Sequence, residues 1–269
     1  MKTEYNQDKE KEGSLSLCMI VKNEEENLKR FLPCIIDIVD ELIVIDTGST
    51  DDTIKIAEEF GGKVYNSPWE GDFAKLKNEA EGYAKSEWLL IIDADEKVSK
   101  ELKDEIIQII KNGSEFNGYD MPRKNYYLGK WLKFGGNYPD YQLKFFRRGK
   151  GVYHPPPLHP KVIIDGKIGH LKSPLEHFPY ETVGEYLKKF ELYTTYDALF
   201  LGMKNVKVNF INSVRWIVIK PSIRFIKRYF LKLGFLNGIP GLFACIFDAL
   251  NYVVRYIKLW HIYENKKYG

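Results

Sequence analysis

The sequence predicts an α/β protein built on a mostly parallel central sheet flanked by helices. Three observations predict it. Short, near-continuous apolar runs alternate with helical patterns between residues 15 and 111, as in parallel sheets covered on both faces. Three of those runs lead into polar clusters, Lys22–Glu24, Asp46–Ser49 and Asp93–Asp95, at the carboxyl ends of strands where such sheets bind ligands. The 269 residues are 44% hydrophobic and 29% charged, a globular composition that excludes a wholly disordered chain.

Residues 1–13 are polar and charged and read as a disordered tail, with no apolar core of a signal peptide. Residues 15–21 form the first strand. Asn23 is the expected cap of the helix that follows, with an acidic first turn and with Leu28, Phe31, Leu32, Ile35 and Ile36 at helical spacing. Residues 41–46 are the second strand. A helix from Ile54 to Phe60 stops at Gly61-Gly62, a common helix end. Lys63–Tyr65 is a third strand, Phe73–Lys85 a helix, Glu87–Ile92 a fourth strand and Lys100–Lys111 a further helix.

Beyond residue 115 the pattern changes to aromatic strands and turns, and Lys161–Lys167 reads as a hairpin with an Asp-Gly turn. From Tyr180 the chain is helical again. The cysteines, Cys18, Cys34 and Cys245, are odd in number and lack a C-x-x-C spacing. A disulfide framework and a structural zinc site are both poor readings, and a reduced cytoplasm fits.

Asp93-Ala94-Asp95 closes an apolar strand, and two carboxylates so placed can share Mg²⁺ or Mn²⁺. A plain acidic turn before a helix is the competing reading. Asp46 can accept a hydrogen bond from a nucleobase or ribose, or can simply stabilise the turn at Thr47-Gly48-Ser49. Lys77 can reach a phosphate or be a solvated helix lysine. His154 and His159 flank Pro155-Pro156-Pro157, where a rigid turn could fix an imidazole.

The segments "LSLCMIVKNEEENL", "ELIVIDTGSTDDT", "GDFAKLKNEA" and "EWLLIIDADE" together resemble the inverting family-2 glycosyltransferases of GT-A fold. Later segments, "YPDYQLKFFRRGKGVYHPPPLHPKV" and "GFLNGIPGLFACIFDALNYVVRYIKLW" among them, resemble the branch with lipopolysaccharide core glucosyltransferases. The resemblance implies a GT-A domain over residues 14–200 and transfer of a hexose, UDP-glucose being the first donor to try, to a glycan or glycolipid acceptor. It implies a donor site of Glu24, Asp46, Lys77 and Asp93, with Asp95 as direct metal ligand and Asp93 nearer the ribose. Lys77 stands where relatives usually carry Arg, and His159-Pro160 where many carry His-Glu. Inversion needs a base for the acceptor hydroxyl. Asp140, in the aromatic segment after the nucleotide half, is the expected base, with Glu176 and Asp120 as runners-up.

Residues 201–269 hold twelve Lys/Arg against two Asp/Glu, whereas the rest of the chain holds 28 against 35. A basic helical extension on an acidic body calls for an anionic partner. Ile223, Ile226, Phe230 and Leu233 fall on one helical face, with Lys220, Arg224, Lys227, Arg228 and Lys232 off it. Phe243, Phe247, Tyr252, Tyr256 and Trp260 follow. Docking on the anionic inner face of the plasma membrane is the expectation, and a homo-oligomer through these helices is the competing one. The stretch Leu233–Val254 is interrupted by three glycines, Pro240 and Asp248, which argues against a crossing. No nucleic acid is expected as a partner. Two other functions are weighed: a non-catalytic nucleic-acid-binding protein, which this sequence gives no recognisable motif for, and a nucleotidyltransferase, whose usual glycine-rich phosphate loop is replaced by Lys22-Asn23-Glu24.

Overall fold

A computed structural model describes residues 13–154 and 161–268. His159, the triple proline and residues 1–12 of the expected tail lie outside the described residues. The chain divides into two compact units, one of residues through Arg123 with Asp140–His177, the other of Lys124–Pro139 with Phe178–Gly269. The second unit thus includes, besides the expected C-terminal helices, the helix before them and a short insert.

In the first unit the strands β1 (Leu15–Val21), β2 (Glu41–Asp46), β3 (Lys63–Asn66) and β4 (Trp88–Ile91) lie in the order β3-β2-β1-β4, all parallel. Their side chains alternate between two cores, as strand geometry requires. Leu17, Met19, Leu42, Val44, Trp88 and Leu90 enter one core; Cys18, Ile43, Ile45, Leu89 and Ile91 enter the other. Helices α1 (Glu25–Phe31), α2 (Thr53–Glu59) and α4 (Lys100–Asn112) cover the first through Leu28, Ile56, Leu102 and Ile106. Helix α3 (Phe73–Tyr83) covers the second through Ala74, Leu76 and Ala80. Both faces are therefore dry, which is why the strands carry apolar residues at nearly every position.

Beyond β4 the sheet becomes antiparallel. β8 (Asp140–Arg147) pairs with β4, β6 (Gly118–Tyr127) pairs with β8, and β12 (Leu175–Tyr180) pairs with β5 (Glu96–Val98).

Two expectations are corrected. Asn23 is not a helix cap: it sits at φ 55°, its side chain accepts from the Thr50 N–H at 2.7 Å, and α1 starts only at Glu25. That helix also ends early, at Phe31, and passes into short 3₁₀ turns, because Pro33 has no N–H to continue it. Residues 161–167 are not a hairpin on their own. β10 (Lys161–Ile164) pairs with β9 (Gly151–His154), and β11 (Ile168–His170) pairs with β6 in parallel. Pairing with β9 lets Val162 and Ile164 pack on the second core, a gain that an isolated two-stranded hairpin lacks.

The second unit is helical apart from the ends of β6 and β12 and the short β7 (Lys130–Trp131). Helix α5 (Val183–Met203) opens with a capping box between Thr182 and Glu185. Segments Phe210–Val214, Arg215–Ile219, Lys220–Ile226 and Lys227–Leu231 follow one another with right-handed helical dihedrals at each junction, α- and π-type turns alternating. We call this rod α6. Pro221, lacking an N–H, sits just after the first π turn. The last helix, α7, spans Ile239–Tyr268. Ala198, Leu201, Trp216, Tyr256 and Leu259 form the core of this unit. Among the described residues no helix is long and apolar enough to cross a membrane.

Candidate active site

The carboxyl end of β4 carries the densest charge cluster of the first unit. The strand runs out at Ile91, and Asp93-Ala94-Asp95 turns tightly back into β5. The Glu96 N–H donates to the Asp93 carbonyl at 3.0 Å, and the Asp93 N–H donates to Glu96 Oε2 at 2.9 Å. The Asp93 carboxylate lies between two ammonium groups, Lys77 Nζ at 3.1 Å and Lys144 Nζ at 2.8 Å. Lys144 also pairs with Glu96. Glu96 Oε1 in turn accepts from Arg123 Nη1 at 3.1 Å. Arg123 then grips Asp140 Oδ2 with Nε at 3.0 Å and Nη2 at 2.8 Å, while Gln142 donates to Oδ1 at 2.8 Å.

Asp93, Glu96 and Asp140 are thus interleaved with Lys77, Lys144 and Arg123. Burial alone would raise the Asp93 carboxyl; the charges of Lys144 and Lys77 outweigh it and hold it well below the usual range. Burial would likewise lower the Lys144 ammonium, yet Asp93 and Glu96 raise it.

Asp95 lies beside it with a different neighbour. His177 stands directly opposite Glu96 in the β5–β12 ladder, which brings His177 Nε2 to 3.5 Å from Asp95 Oδ1. Both side chains are largely covered, at 14% and 13% exposure. One carboxylate oxygen and one imidazole nitrogen at this separation fit a divalent cation bound to both, since Mg²⁺ or Mn²⁺ takes few protein ligands and completes its shell with phosphate and water. Among the described residues no group of three or more His, Cys, Asp or Glu could hold a metal, so a cation here would need oxygen from its substrate.

The other expected site residues have structural partners. Asp46 closes a turn: its carboxylate accepts from the Gly48 N–H at 2.9 Å and the Ser49 N–H at 3.0 Å, with Gly48 at φ 107°. It is buried at the end of β2. Glu24 directly precedes α1 without a side-chain bond to the helix's backbone N–H groups, and its carboxylate accepts from the Asn27 amide at 2.6 Å. Lys77 is 9% exposed, so it is no solvated lysine. Glu176 pairs with Lys97 at 2.9 Å, and Asp120 with His170 at 2.7 Å.

Sequence reasoning missed Arg123, Lys144, Gln142 and His177. A period-two signal marks Gln142, which shares a face of β8 with Asp140. The ladder skips Lys144, where the register shifts, but a lysine amid Leu143, Phe145 and Phe146 needs an acidic partner to be buried. His177 carries no such signal, because its neighbour is set by strand pairing alone.

Paired charges beyond the carboxyl ends of the parallel strands lie where α/β sheets bind their ligands. Residues 16–157 match the model of glycosyl transferase family 2. An uncharacterized glycosyltransferase of Rickettsia conorii is 30% identical over 262 residues, covering 91% of this chain and 89% of that one. The lipopolysaccharide core biosynthesis glycosyltransferase LpsC of Rhizobium meliloti is 27% identical over 232 residues, 84% of this chain and 82% of that one. In shape, the crystal structure of S. aureus TarS residues 1–349 covers 90% of both chains at 17% identity with a TM-score of 0.45. The chain belongs to glycosyl transferase family 2 and is an enzyme of that family, with its GT-A fold. The nucleotidyltransferase and non-catalytic readings give way to it.

Proposed function

We propose that the chain transfers a hexosyl group, glucose first among the candidates, from a nucleotide sugar to a glycan or glycolipid of the lipopolysaccharide core kind, with inversion. The observation that carries this reading is the pairing of Asp95 with His177 beside the ion pairs of Asp93 with Lys77 and Lys144. The similarity to LpsC supports the acceptor class. A glycolipid acceptor is met at the inner face of the plasma membrane, and the enzyme works there as a cytoplasmic, peripheral protein.

Asp95 and His177 would hold Mg²⁺ or Mn²⁺, which when bound supplies positive charge to the departing diphosphate. Lys77 adds a second positive charge by exchanging Asp93 for a phosphate oxygen. Asp93, released in part, accepts from a ribose hydroxyl. Asp46 and Glu24 shape the nucleotide end, Asp46 through the turn it closes. Asp140 takes the proton of the acceptor hydroxyl as that oxygen bonds to the anomeric carbon and the bond to diphosphate breaks. Arg123 orients the Asp140 carboxylate for that step.

The test is a thermal-shift series with UDP-, GDP-, ADP- and CMP-linked sugars, with and without Mn²⁺, followed by mass analysis of a core oligosaccharide acceptor. UDP-glucose should stabilise the protein only with metal and add one hexose to the acceptor. No stabilisation by any nucleotide sugar would refute the reading.

A further inference from the structure

Rod α6 turns one apolar face outward along its length, and Ile223, Ile226 and Phe230 of the expected amphipathic face lie on it. Counting from Ile211 to Leu231, the exposed positions are 211, 214, 215, 217, 218, 219, 222, 223, 226, 227, 230 and 231. Apart from Ile217 they recur at helical three- and four-residue spacing and make one stripe. Only Arg215, Ser222 and Lys227 interrupt an otherwise Ile-, Val-, Leu- and Phe-lined surface. Ile223, Ile226 and Phe230 are 60, 50 and 54% exposed. The opposite side is the one that packs: Trp216 and Pro221 are buried, and Trp216 stacks on Tyr256. Soluble proteins seldom leave an apolar surface of this extent uncovered.

Charge decides what covers it. Arg224 and Arg228 turn inward to share Asp248, and Lys220 sits over the Trp216 ring at 3.0 Å. The cations exposed on or beside the stripe are Arg215, Lys227 and Lys232. Residues 201–269 hold only two acids, Asp248 and Glu264, and Asp248 is bound to the two arginines. A two-fold pairing of this face with itself would set cation against cation. An anionic bilayer supplies both an apolar layer for the isoleucines and the missing negative charge.

We propose that this face of α6, from Ile211 to Leu231, is the membrane-binding surface of the protein, lying in the headgroup layer of an anionic bilayer. The inference deepens the peripheral location proposed above and rests on it. Its test reads vesicle binding with no sugar transfer, so it can fail while the donor-site reading stands, and the reverse.

The experiment is flotation of the full chain with phosphatidylcholine vesicles carrying increasing fractions of phosphatidylglycerol, with size-exclusion light scattering alongside. The protein should float in proportion to the anionic fraction and be largely released by high salt. Arg215→Gln with Lys227→Gln should lower partitioning about fivefold per cation removed. Ile223→Asp with Phe230→Asp, both on the exposed side and so harmless to folding, should abolish flotation. Thermal melting of each variant checks that the fold is kept. A wild type that never floats overturns the proposal. So does a stable dimer that the aspartate pair dissociates, since a second copy would then be the occupant.

Discussion

Asp93 and Glu96 show how a polar site survives at the edge of a dry sheet. Each carboxylate is matched by cations from other elements, Lys77 on α3, Lys144 on β8 and Arg123 on β6. Removing one partner strands the rest. Lys144→Met should destabilise the protein by about 2–4 kcal/mol in urea unfolding, because Glu96 is fully buried and loses half its compensation. Asp140→Asn should leave the fold and donor binding intact and cut turnover by roughly 10²–10⁴-fold; near-native turnover would move the base to Glu176 or Asp120. A third residue gives a pH signature. Burial pushes the Glu81 carboxyl up from 4.5 to about 7, only partly offset by the Gly149 N–H and Arg148. A raised carboxyl favours the folded state while protonated. Its contribution is therefore full below pH 4.5 and lost as pH rises through about 7. Glu81→Gln keeps the acceptor for Gly149 and should be more stable than wild type at pH 8, by about 1–3 kcal/mol, with little difference at pH 4.5. Equal differences at both pH values would contradict it.

The elements were legible to different degrees. Strands β1, β2 and β4 are legible because both their faces are buried, so nearly every residue is apolar and the polar cluster that follows each run stands out. Asp93 and Asp95 were legible for the same reason. Partners fixed by non-local pairing were not: Arg123 meets Asp140 across β6 and β8, and His177 meets Glu96 across β12 and β5. Helix starts are less legible. Ser99, which the sequence reading did not single out, caps α4, accepting from the Leu102 N–H at 3.2 Å, whereas Asn23 spends its side chain on Thr50. Asp72 caps α3 with two backbone bonds, at 2.8 and 3.2 Å, to Ala74 and Lys75. Because α3 carries Lys77, Asp72→Ala should cost about 1 kcal/mol of stability and also weaken donor binding. Stability loss without any change in donor affinity would detach Lys77 from the phosphate role.

At the scale of the whole molecule, the asymmetric charge of the chain resolves into two different uses. In the first unit, acids and bases interleave at the sheet's carboxyl end. In the second, four of the cations turn inward: Arg224 and Arg228 share Asp248, Lys220 lies on Trp216, and Arg255 lies on Tyr252 at 4.0 Å. Several aromatics expected at a lipid boundary pack inward instead: Tyr256 is 2% exposed, and Phe243 and Phe247 pack edge-on around Tyr186. Hydrophobic periodicity alone could not separate these inward rings from the outward isoleucines, since both recur at helical spacing.

In the proposed site, Asp95 and His177 would together hold a divalent cation for a nucleotide-sugar donor. The binding of Mn²⁺, measured by electron paramagnetic resonance with and without UDP, to the wild type and to Asp95→Asn and His177→Ala tests this. Wild type should bind Mn²⁺ weakly alone and more tightly with UDP, and each variant should lose most of the UDP-dependent gain while melting normally. Variants that bind Mn²⁺ with UDP as the wild type does would contradict the account.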